Sequence, residues 1–307
     1  MYLGVDGGGT KTAFVLLDDD NKIVSQHLDG TCYYIEVGIE GAQKVLHNGI
    51  QAVFTKAGIP IQQLKYAFFG LPAYGEDSSM LETLNAMPGR LLPTQKYQCG
   101  NDMINGWAAA FGGGDGINII AGTGSIAYGQ RQGKSVRCGG WGELFSDEGS
   151  AYWIGRRGLE LFTHMSDGRC EKGPLYDIIK QKLNIQQDLD ICALVLSDWK
   201  GERGAIANVS TLVYQAAQQN DIAAKTIFND AALQLAKIVD ASRKQLDYVA
   251  GEPVNIAYSG GVFKAGELIM TPFKQAMAHF SDDYQIHQPQ TTPDVGAALY
   301  ARLLSAQ

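Results

Sequence analysis

Short apolar segments alternate with polar or glycine-rich turns through the first 150 residues of the chain. Apolar runs of about four to eight residues between such turns are typical of β-strands. They occupy Tyr2–Asp6, Lys11–Leu17, Lys22–His27, Tyr66–Leu71, Lys96–Cys99, Ile117–Ala121 and Ile126–Gln130. The order strand, glycine turn, strand and polar hairpin occurs twice, beginning near residues 2 and 117, which indicates an internally duplicated motif.

Helices are predicted between and after these strands. From about Gly41 to Ala57 apolar residues recur at helical spacing, and Gly58 provides a stop signal. Other helical segments cover residues 76–87, 104–111, most of 150–250, the region from about 264, and 295–304, with strands at 254–258 and 284–287. This order of elements predicts an α/β fold with two domains that face each other across a cleft.

The predicted domain boundary follows the short helix that ends at Phe111. Residues 1–111 are expected to form an N-terminal domain, and residues 112–307 a C-terminal domain with a mainly helical insert at about 150–250. The final helix, at about residues 295–305, is a candidate to pack back onto the N-terminal domain.

Composition and charge exclude several classes of protein. Lys and Arg total 25 against 32 Asp and Glu, so the net charge is −7, whereas nucleic-acid-binding proteins normally carry a basic face. No run of about 18 apolar residues predicts a membrane span, and the start of the chain lacks the features of a signal peptide. Neither a disulfide framework nor a C-x-x-C metal site is formed by Cys32, Cys99, Cys138, Cys170 and Cys192. We therefore expect a reduced, cytoplasmic protein that binds neither nucleic acid nor membranes.

The first glycine cluster lies between the first two predicted strands, in a chain where 26 of 37 glycines fall within residues 1–150. Glycines let main-chain N–H groups approach an anion without interference from Cβ, and Thr10 adds a hydroxyl donor. Asp6 is a candidate to hold Mg²⁺ or one of its waters, because that ion prefers oxygen ligands. The spacing is not that of a P-loop, and the alternative is an ordinary glycine hairpin. The candidate nucleotide-binding residues here are Asp6, Gly8, Gly9, Thr10, Lys11 and Thr12.

Two further glycine turns are candidates to contact the nucleotide. Gly122, Thr123 and Gly124 repeat the context of the first cluster, so two facing hairpins could grip a polyphosphate. Gly260 and Gly261 lie between a strand and a helix, where paired glycines would let a nucleotide approach the backbone. Each turn, taken alone, is equally explained as a plain loop.

Asp102 stands at the end of a predicted strand and the start of a helix. Its simplest role is that of an N-cap, whose side chain accepts a backbone hydrogen bond. Between two phosphate-binding loops, however, a carboxylate is also the expected general base that removes a hydroxyl proton.

A dense stretch from Cys138 to Ser150 contains the candidate sugar-binding residues. Glycines on both sides of Trp141 would present an aromatic face to a sugar ring, and acidic side chains would accept hydrogen bonds from hydroxyls. The candidates are Gly140, Trp141, Gly142, Asp147 and Glu148, together with Asp102. The same stretch also reads as a helix start, with Ser146 or Asp147 as the cap.

Taken in order, these motifs resemble the BadF/BadG/BcrA/BcrD ATPase family, in its N-acetylglucosamine kinase-like branch. The residues that carry the resemblance are the Asp-Gly-Gly-Gly-Thr of 6–10, Asp102, Ala-Gly-Thr-Gly-Ser at 121–125, the stretch 139–154 and the Ser-Gly-Gly-Val-Phe of 259–263. The family belongs to the superfamily of actin, heat-shock ATPases and sugar kinases. The resemblance implies two ribonuclease-H-like domains that flank a nucleotide cleft.

The resemblance also implies a kinase reaction. ATP with Mg²⁺ would bind through Asp6, Thr10, Thr123 and the Gly260–Gly261 turn, and Asp102 would be the catalytic base. The γ-phosphoryl group would pass in line to a sugar hydroxyl, expected to be the 6-hydroxyl of an amino sugar such as N-acetylglucosamine or glucosamine. We expect such an enzyme of amino sugar metabolism to be a homodimer.

One departure from the family pattern and two alternatives remain open. Kinases of this type usually carry a sugar-contacting Asn after the third strand, whereas the segment Asp29–Tyr34 has none, so a Tyr takes that role or the acceptor is another sugar or polyol. One alternative is an ATP-driven activator of 2-hydroxyacyl-CoA dehydratases or benzoyl-CoA reductase, a homodimer that holds an iron–sulfur cluster; Cys99 and Cys138 do not lie in the sequence contexts expected for it. The other is a non-catalytic sugar sensor.

Overall fold

The computed structural model describes residues 1–306, which divide into two compact units. The first unit contains residues 1–116 together with the residues from 288 onward, and the second unit contains Ile117–His287. The division falls five residues after Phe111, where the sequence places the domain boundary. The sequence assigns the C-terminal helix to the domain of residues 112–307, with packing onto the N-terminal domain as the alternative. In the structure this helix lies in the first unit.

Strands and helices alternate in both units. In chain order the strands are β1 (Tyr2–Gly7), β2 (Thr12–Leu17), β3 (Ile23–Asp29), β4 (Tyr66–Leu71), β5 (Tyr97–Asn101), β6 (Gly116–Ala121), β7 (Ser125–Arg131), β8 (Lys134–Gly139), β9 (Val254–Ser259) and β10 (Tyr284–His287). The helices are α1 (Tyr34–Ala57), α2 (Leu81–Ala86), α3 (Met103–Phe111), α4 (Ala151–Ser166), α5 (Pro174–Lys182), α6 (Asp190–Ala193), α7 (Arg203–Asn208), α8 (Ser210–Gln218), α9 (Ile222–Gln245), α10 (Glu267–Phe280) and α11 (Pro293–Leu304).

The first unit is built on a five-stranded sheet with the order β3-β2-β1-β4-β5. β1 pairs antiparallel with β2 and parallel with β4, and β4 pairs parallel with β5. Parallel strands end at the same edge of a sheet, which is where ligands bind in open α/β folds. This register places Asp6 of β1 beside Gly70 of β4 and brings Leu71 beside Asn101 of β5. Asp102 follows directly, so the two candidate acids lie at one edge.

The second unit repeats this topology. Its sheet has the order β10-β9-β6-β7-β8, which matches the first sheet strand for strand when read in the opposite direction. β7 and β8 pair antiparallel, and β9 pairs parallel with both β6 and β10. The predicted internal duplication is therefore confirmed. Helices α4 to α10 complete this unit, and most of their apolar faces pack with the sheet into one core, while Ile206 and Ala207 of α7 form a smaller cluster with Tyr152.

The helix α11 packs against the first sheet because its buried face is made of small residues. Gly296, Ala297, Ala298 and Ala301 are buried. A Cβ on Gly4 of β1 would lie 2.8 Å from Ala298 Cα, so the helix and the strand are in backbone contact. This close fit explains why the end of the chain belongs to the first unit.

The hydrophobic pattern misplaces the ends of two helices. It predicts a helix that begins near Gly41, whereas α1 begins at Tyr34 and is interrupted at Gly38, whose φ of 72° and ψ of 168° are not helical. It also predicts a helix over 76–87, where the structure has a 3₁₀ turn at Ser78–Met80 followed by the short α2. Glycine tolerates the left-handed φ at position 38, which permits the first turn to join the main helix.

Candidate functional site

The first phosphate loop, residues 7–12, is a closed turn with an open tip. Gly8 N donates to Lys11 O at 2.9 Å, and Cys32 N donates to Thr12 Oγ1 at 3.0 Å. Within residues 1–306, the N–H groups of Gly9 and Thr10 donate to no protein acceptor. A Cβ on Gly9 would have no atom within 4 Å. The tip can therefore offer unpaired amides to an anion.

Asp6 lies at the end of β1, directly before this loop. Asn105 Nδ2 donates to Asp6 Oδ1 at 2.7 Å and to Val5 O at 3.3 Å. Burial raises the pKa of Asp6 to about 6, while the hydrogen bond from Asn105 lowers the pKa by stabilising the carboxylate. Asn105 thus fixes the direction of the carboxylate and favours its charged form.

Asn105 escapes prediction from the sequence, although it is fully buried and holds the candidate metal ligand. The signal that could reveal it is its spacing, because it stands three residues after Asp102 in the first turn of α3. Residues at this separation lie on the same side of a helix.

Asp102 occupies the N-cap position of α3, but its side chain makes no capping hydrogen bond. The neighbouring Asn101 accepts instead, from Met103 N at 3.1 Å. Burial, together with the carboxylates of Asp6 and Glu76, raises the pKa of Asp102 to about 7. A carboxylate with a pKa near neutrality is suited to take up and release a proton, as a general base must.

The second phosphate loop, residues 122–125, is closed in the same way as the first. Gly122 N donates to Gly124 O at 2.9 Å. The start of α4 holds the loop from behind, because Ala151 N donates to Gly122 O at 2.8 Å and Tyr152 N to Thr123 O at 3.3 Å. Thr123 itself is exposed, so its hydroxyl is accessible to a ligand.

Asp147 is buried against the second phosphate loop and paired with a cation. Its Oδ2 accepts from Arg203 Nη2 at 2.7 Å, and Arg203 Nε lies 3.5 Å from Glu143 Oε2. Burial raises the pKa of Asp147, and Arg203 opposes this rise. A Cβ on Gly124 would lie 2.6 Å from Asp147 Oδ2, which shows how closely the loop and the carboxylate pack. The sequence offers no signal for Arg203, since it lies 56 residues away.

The remaining candidate sugar residues form an exposed loop. Trp141 is 71% exposed and stands between Gly140 and Gly142, whose φ values of 71° and 98° require glycine. Glu148 Oε2 accepts from Ser146 Oγ at 3.3 Å. The predicted helix cap at Ser146 or Asp147 is wrong, because Ser150 caps α4 by accepting from Trp153 N. The helix begins later because Asp147 has a left-handed φ of 59°.

The third glycine turn packs against the second phosphate loop. Gly260 has a φ of 104°, and a Cβ there would lie 2.9 Å from Gly122 N. Gly261 faces open space, since a Cβ would have no atom within 4 Å. The second unit therefore brings together Gly122, Gly124, Asp147 and Gly260, whereas the first unit brings together Asp6, Asp102 and the 7–12 loop.

The cysteines are spread through both units. Cys32, Cys99 and Cys138 are buried, and all five thiols are free. Burial raises the pKa of Cys32 to about 11 and that of Cys99 to about 12. Among residues 1–306, no group of three His, Cys, Asp or Glu side chains is arranged to hold a metal ion.

No helix within the described range of 1–306 is both long and apolar enough to cross a membrane. Exposed apolar side chains include those of Trp141, Leu144 and Phe145 in the 141–145 loop.

Known proteins resemble the chain along almost its whole length. It is 26% identical to the N-acetyl-D-glucosamine kinase of Dictyostelium discoideum and 27% identical to the N-acetylmuramic acid/N-acetylglucosamine kinase of Clostridium acetobutylicum. Both alignments cover 98% of this chain and 97% of the relative.

The fold is shared with the solved structure of a provisionally assigned N-acetylglucosamine kinase from Chromobacterium violaceum. The TM-score is 0.75 at 24% identity, with 99% of this chain and 98% of that one covered. The predicted α/β fold with two ribonuclease-H-like, actin-like domains is confirmed. The model of the BadF/BadG/BcrA/BcrD ATPase family matches residues 3–301, and the chain therefore belongs to the BadF/BadG/BcrA/BcrD ATPase family.

Proposed function

We propose that the protein is an ATP-dependent kinase that transfers the γ-phosphoryl group of ATP to a hydroxyl of an amino sugar. The observation that carries this proposal is Asp102, a carboxyl group without a capping bond whose pKa is about 7, beside Asp6 at one sheet edge. Relatives that match 98% of the chain are named as N-acetylglucosamine kinases, which supports the same reaction.

The nucleotide is proposed to bind mainly through backbone groups and hydroxyls, with Lys11 as the basic side chain among the candidates. The free N–H groups of Gly9 and Thr10 and the Thr10 hydroxyl would contact phosphate oxygens in the first unit. Lys11 and Thr12 are further candidate contacts in the first unit. In the second unit, the nucleotide would contact Thr123 and the turns at Gly122–Gly124 and Gly260–Gly261.

Asp6 is the proposed Mg²⁺ ligand, directly or through a water. Asp6 is half-buried and adjoins the open loop tip, and its carboxylate is held by Asn105, so it suits a hard cation. Because no third acidic or histidine side chain joins it within residues 1–306, waters and phosphate oxygens would complete the shell. Bound Mg²⁺ neutralises charge on the phosphate oxygens.

Asp102 is the proposed general base. Its ionised carboxylate accepts the proton of the attacking sugar hydroxyl, whose oxygen forms a bond to the γ-phosphorus. The bond between that phosphorus and the bridging oxygen of ADP breaks, and ADP leaves with the electron pair. The products are a sugar phosphate and ADP, with the proton on Asp102.

The sugar is proposed to contact Trp141 with a ring face and the 140–148 loop with its hydroxyls. Exposed Trp141 offers an apolar ring surface, and Gly140 and Gly142 leave room for the sugar. Asp147 and Glu148 would accept hydrogen bonds, and the ion pair with Arg203 favours the charged form of Asp147. We propose the 6-hydroxyl as the acceptor, and N-acetylglucosamine or glucosamine as the sugar.

A coupled assay of ADP release tests this function. We expect sugar-dependent turnover with at least one of glucosamine, N-acetylglucosamine, N-acetylmannosamine, N-acetylmuramate or glucose. The product is then isolated, and its phosphorus–proton couplings show which hydroxyl carries the phosphate. Turnover no higher than the ATPase rate without sugar, for every compound, would overturn the kinase assignment.

We also propose that the protein is a homodimer. Ile23, Leu28 and Ile35 lie on the edge strand β3 and the start of α1 and are 51%, 57% and 60% exposed, a surface that a second copy could cover. Light scattering after gel filtration tests this, and a mass of one chain at micromolar concentration would contradict it.

A further inference from the structure

The segment 29–34, which the family pattern would place at the sugar, is tied to the first phosphate loop. Thr31 Oγ1 donates to Gly8 O at 2.7 Å and accepts from Tyr33 N at 2.9 Å. The neighbouring Cys32 N donates to Thr12 Oγ1 at 3.0 Å. The two ends of the loop are therefore held by consecutive residues of one segment.

The hydrogen bond from Thr31 determines the direction of a neighbouring amide. Gly8 C=O and Gly9 N–H belong to one planar trans peptide, so they point in opposite directions. Thr31 draws the carbonyl oxygen toward the 29–34 segment. The Gly9 N–H is thereby directed away from that segment, to the open tip where it has no protein acceptor.

The second unit shows the same arrangement with a different donor. Gly122 C=O accepts from Ala151 N at the start of α4, so the N–H of Thr123 in the same peptide points the opposite way. Both phosphate loops thus have a glycine carbonyl bound from behind, that of Gly122 by a helix amide and that of Gly8 by the Thr31 hydroxyl. Only the bond in the first unit depends on a side chain.

We propose that Thr31 is a positioning residue that aims the Gly9 amide at the nucleotide and couples the loop to the 29–34 segment. The proposal rests on the proposed function in that it takes the 7–12 loop to bind ATP phosphates. Loss of the hydroxyl frees the 8–9 peptide to rotate, which weakens nucleotide binding and loosens both segments together.

The test compares Thr31→Val, which removes the hydroxyl, with Thr31→Ser, which keeps it. For Thr31→Val we expect the KM for ATP with Mg²⁺ and the dissociation constant for ADP with Mg²⁺ to rise about tenfold, as the loss of one hydrogen bond to a fixed partner implies. Thr31→Ser should stay within about twofold of the native protein. Thr226→Val is the matched control, because the exposed Thr226 hydroxyl donates to Ile222 O within α9, a helix of the second unit.

Hydrogen exchange of the protein without ligands separates this proposal from the kinase assignment. We expect faster exchange at residues 7–12 and 30–34 in Thr31→Val, but not in Thr31→Ser or Thr226→Val. A native protein that phosphorylates no sugar would overturn the proposed function, whereas ADP binding and exchange would still decide the role of Thr31. Unchanged ADP affinity and exchange in Thr31→Val would overturn the proposal. Should that variant not fold, Thr31→Ala against Thr31→Ser gives the same comparison with the same outcomes.

Discussion

At the residue scale, the chemistry centres on two carboxyl groups whose surroundings differ from water. Burial raises the pKa of Asp6 to about 6 and that of Asp102 to about 7, and the carboxylate of Asp6 makes ionisation of Asp102 harder. Asn105 lowers the pKa of Asp6 alone, so Asp6 ionises first and Asp102 remains able to exchange a proton near neutral pH. This division fits one acid that binds a cation and one that acts as a base.

Asp102→Asn tests the base directly. The amide cannot take up the hydroxyl proton, so we expect turnover to fall by about 10²- to 10⁴-fold. In the native protein the rate should rise with pH through about 7, because only the ionised carboxylate is active. Steady-state rates between pH 5 and 9 measure both. Turnover equal to that of the native protein would remove Asp102 from the reaction.

The same substitution has a predictable effect on stability. Because the pKa of Asp102 is about 7 when folded and 3.8 ordinarily, the folded state keeps a proton that the unfolded state loses between these values. Stability therefore falls as pH rises through this window. Asp102→Asn should unfold at a higher temperature than the native protein at pH 8, with the gain shrinking toward pH 4. Asp20→Asn, in an exposed turn, is the control substitution.

Asn105→Leu isolates the contribution of Asn105 to metal binding. Leucine keeps nearly the same volume but cannot donate to Asp6, so the pKa of Asp6 should rise and protons should compete better with Mg²⁺. We expect the Mg²⁺ concentration for half-maximal activity to increase, more at pH 6 than at pH 8. Asn229→Leu on an exposed helix face serves as the comparison. An unchanged Mg²⁺ dependence at both pH values would contradict the role of Asn105.

At the element scale, strands and glycine turns are predictable from sequence because their signals are local. Apolar runs flanked by turn residues locate β1 and β6 to within a residue or two of the structure. The start of α1 and the cap of α4 depend on left-handed residues, Gly38 and Asp147, which the hydrophobic pattern does not register.

The side chains that complete the site are the least predictable part. Arg203 reaches Asp147 from an element that begins 56 residues later, and Asn105 reaches Asp6 across 99 residues of sequence. The partner of each side chain is determined by tertiary packing, which spacing within one helix does not describe. The glycine loops can be predicted from the sequence because clustered glycines indicate backbone conformations and close approaches that other residues rarely allow.

Gly296→Ala tests the packing of α11, the element whose place the sequence left open. A Cβ there would lie 2.8 Å from Ala109 Cα of α3 and would force the two backbones apart. We expect the free energy of unfolding to fall by about 1 to 3 kcal/mol, a typical cost of overpacking. Gly30→Ala, where a Cβ meets nothing within 4 Å, should change it by much less. Denaturant titration of both variants measures these changes. Equal free energies of unfolding for the two variants would contradict the close contact between α11 and α3.

At the scale of the whole molecule, a chain of net charge −7 is proposed to bind a strongly anionic nucleotide. One lysine, Lys11, cannot supply the necessary positive potential by itself, because the carboxylates of Asp6, Asp102 and Glu76 repel anions. Backbone N–H groups supply part of it, and a divalent cation must supply most of the rest. Nucleotide binding should therefore depend on the metal much more than on any single basic residue.

This dependence predicts how ligands stabilise the fold. A ligand that binds only the native state adds RT ln(1 + [L]/Kd) to the free energy of unfolding, about 2.7 kcal/mol at a hundredfold excess over Kd. ADP with Mg²⁺ should raise the unfolding temperature accordingly, whereas ADP with EDTA should leave it nearly unchanged. Restoring excess Mg²⁺ to the EDTA sample should recover the shift, and Mg²⁺ without ADP is the control. An equal shift from ADP with and without Mg²⁺ would mean that the protein itself neutralises the phosphates, and the role proposed for Asp6 would have to be given up.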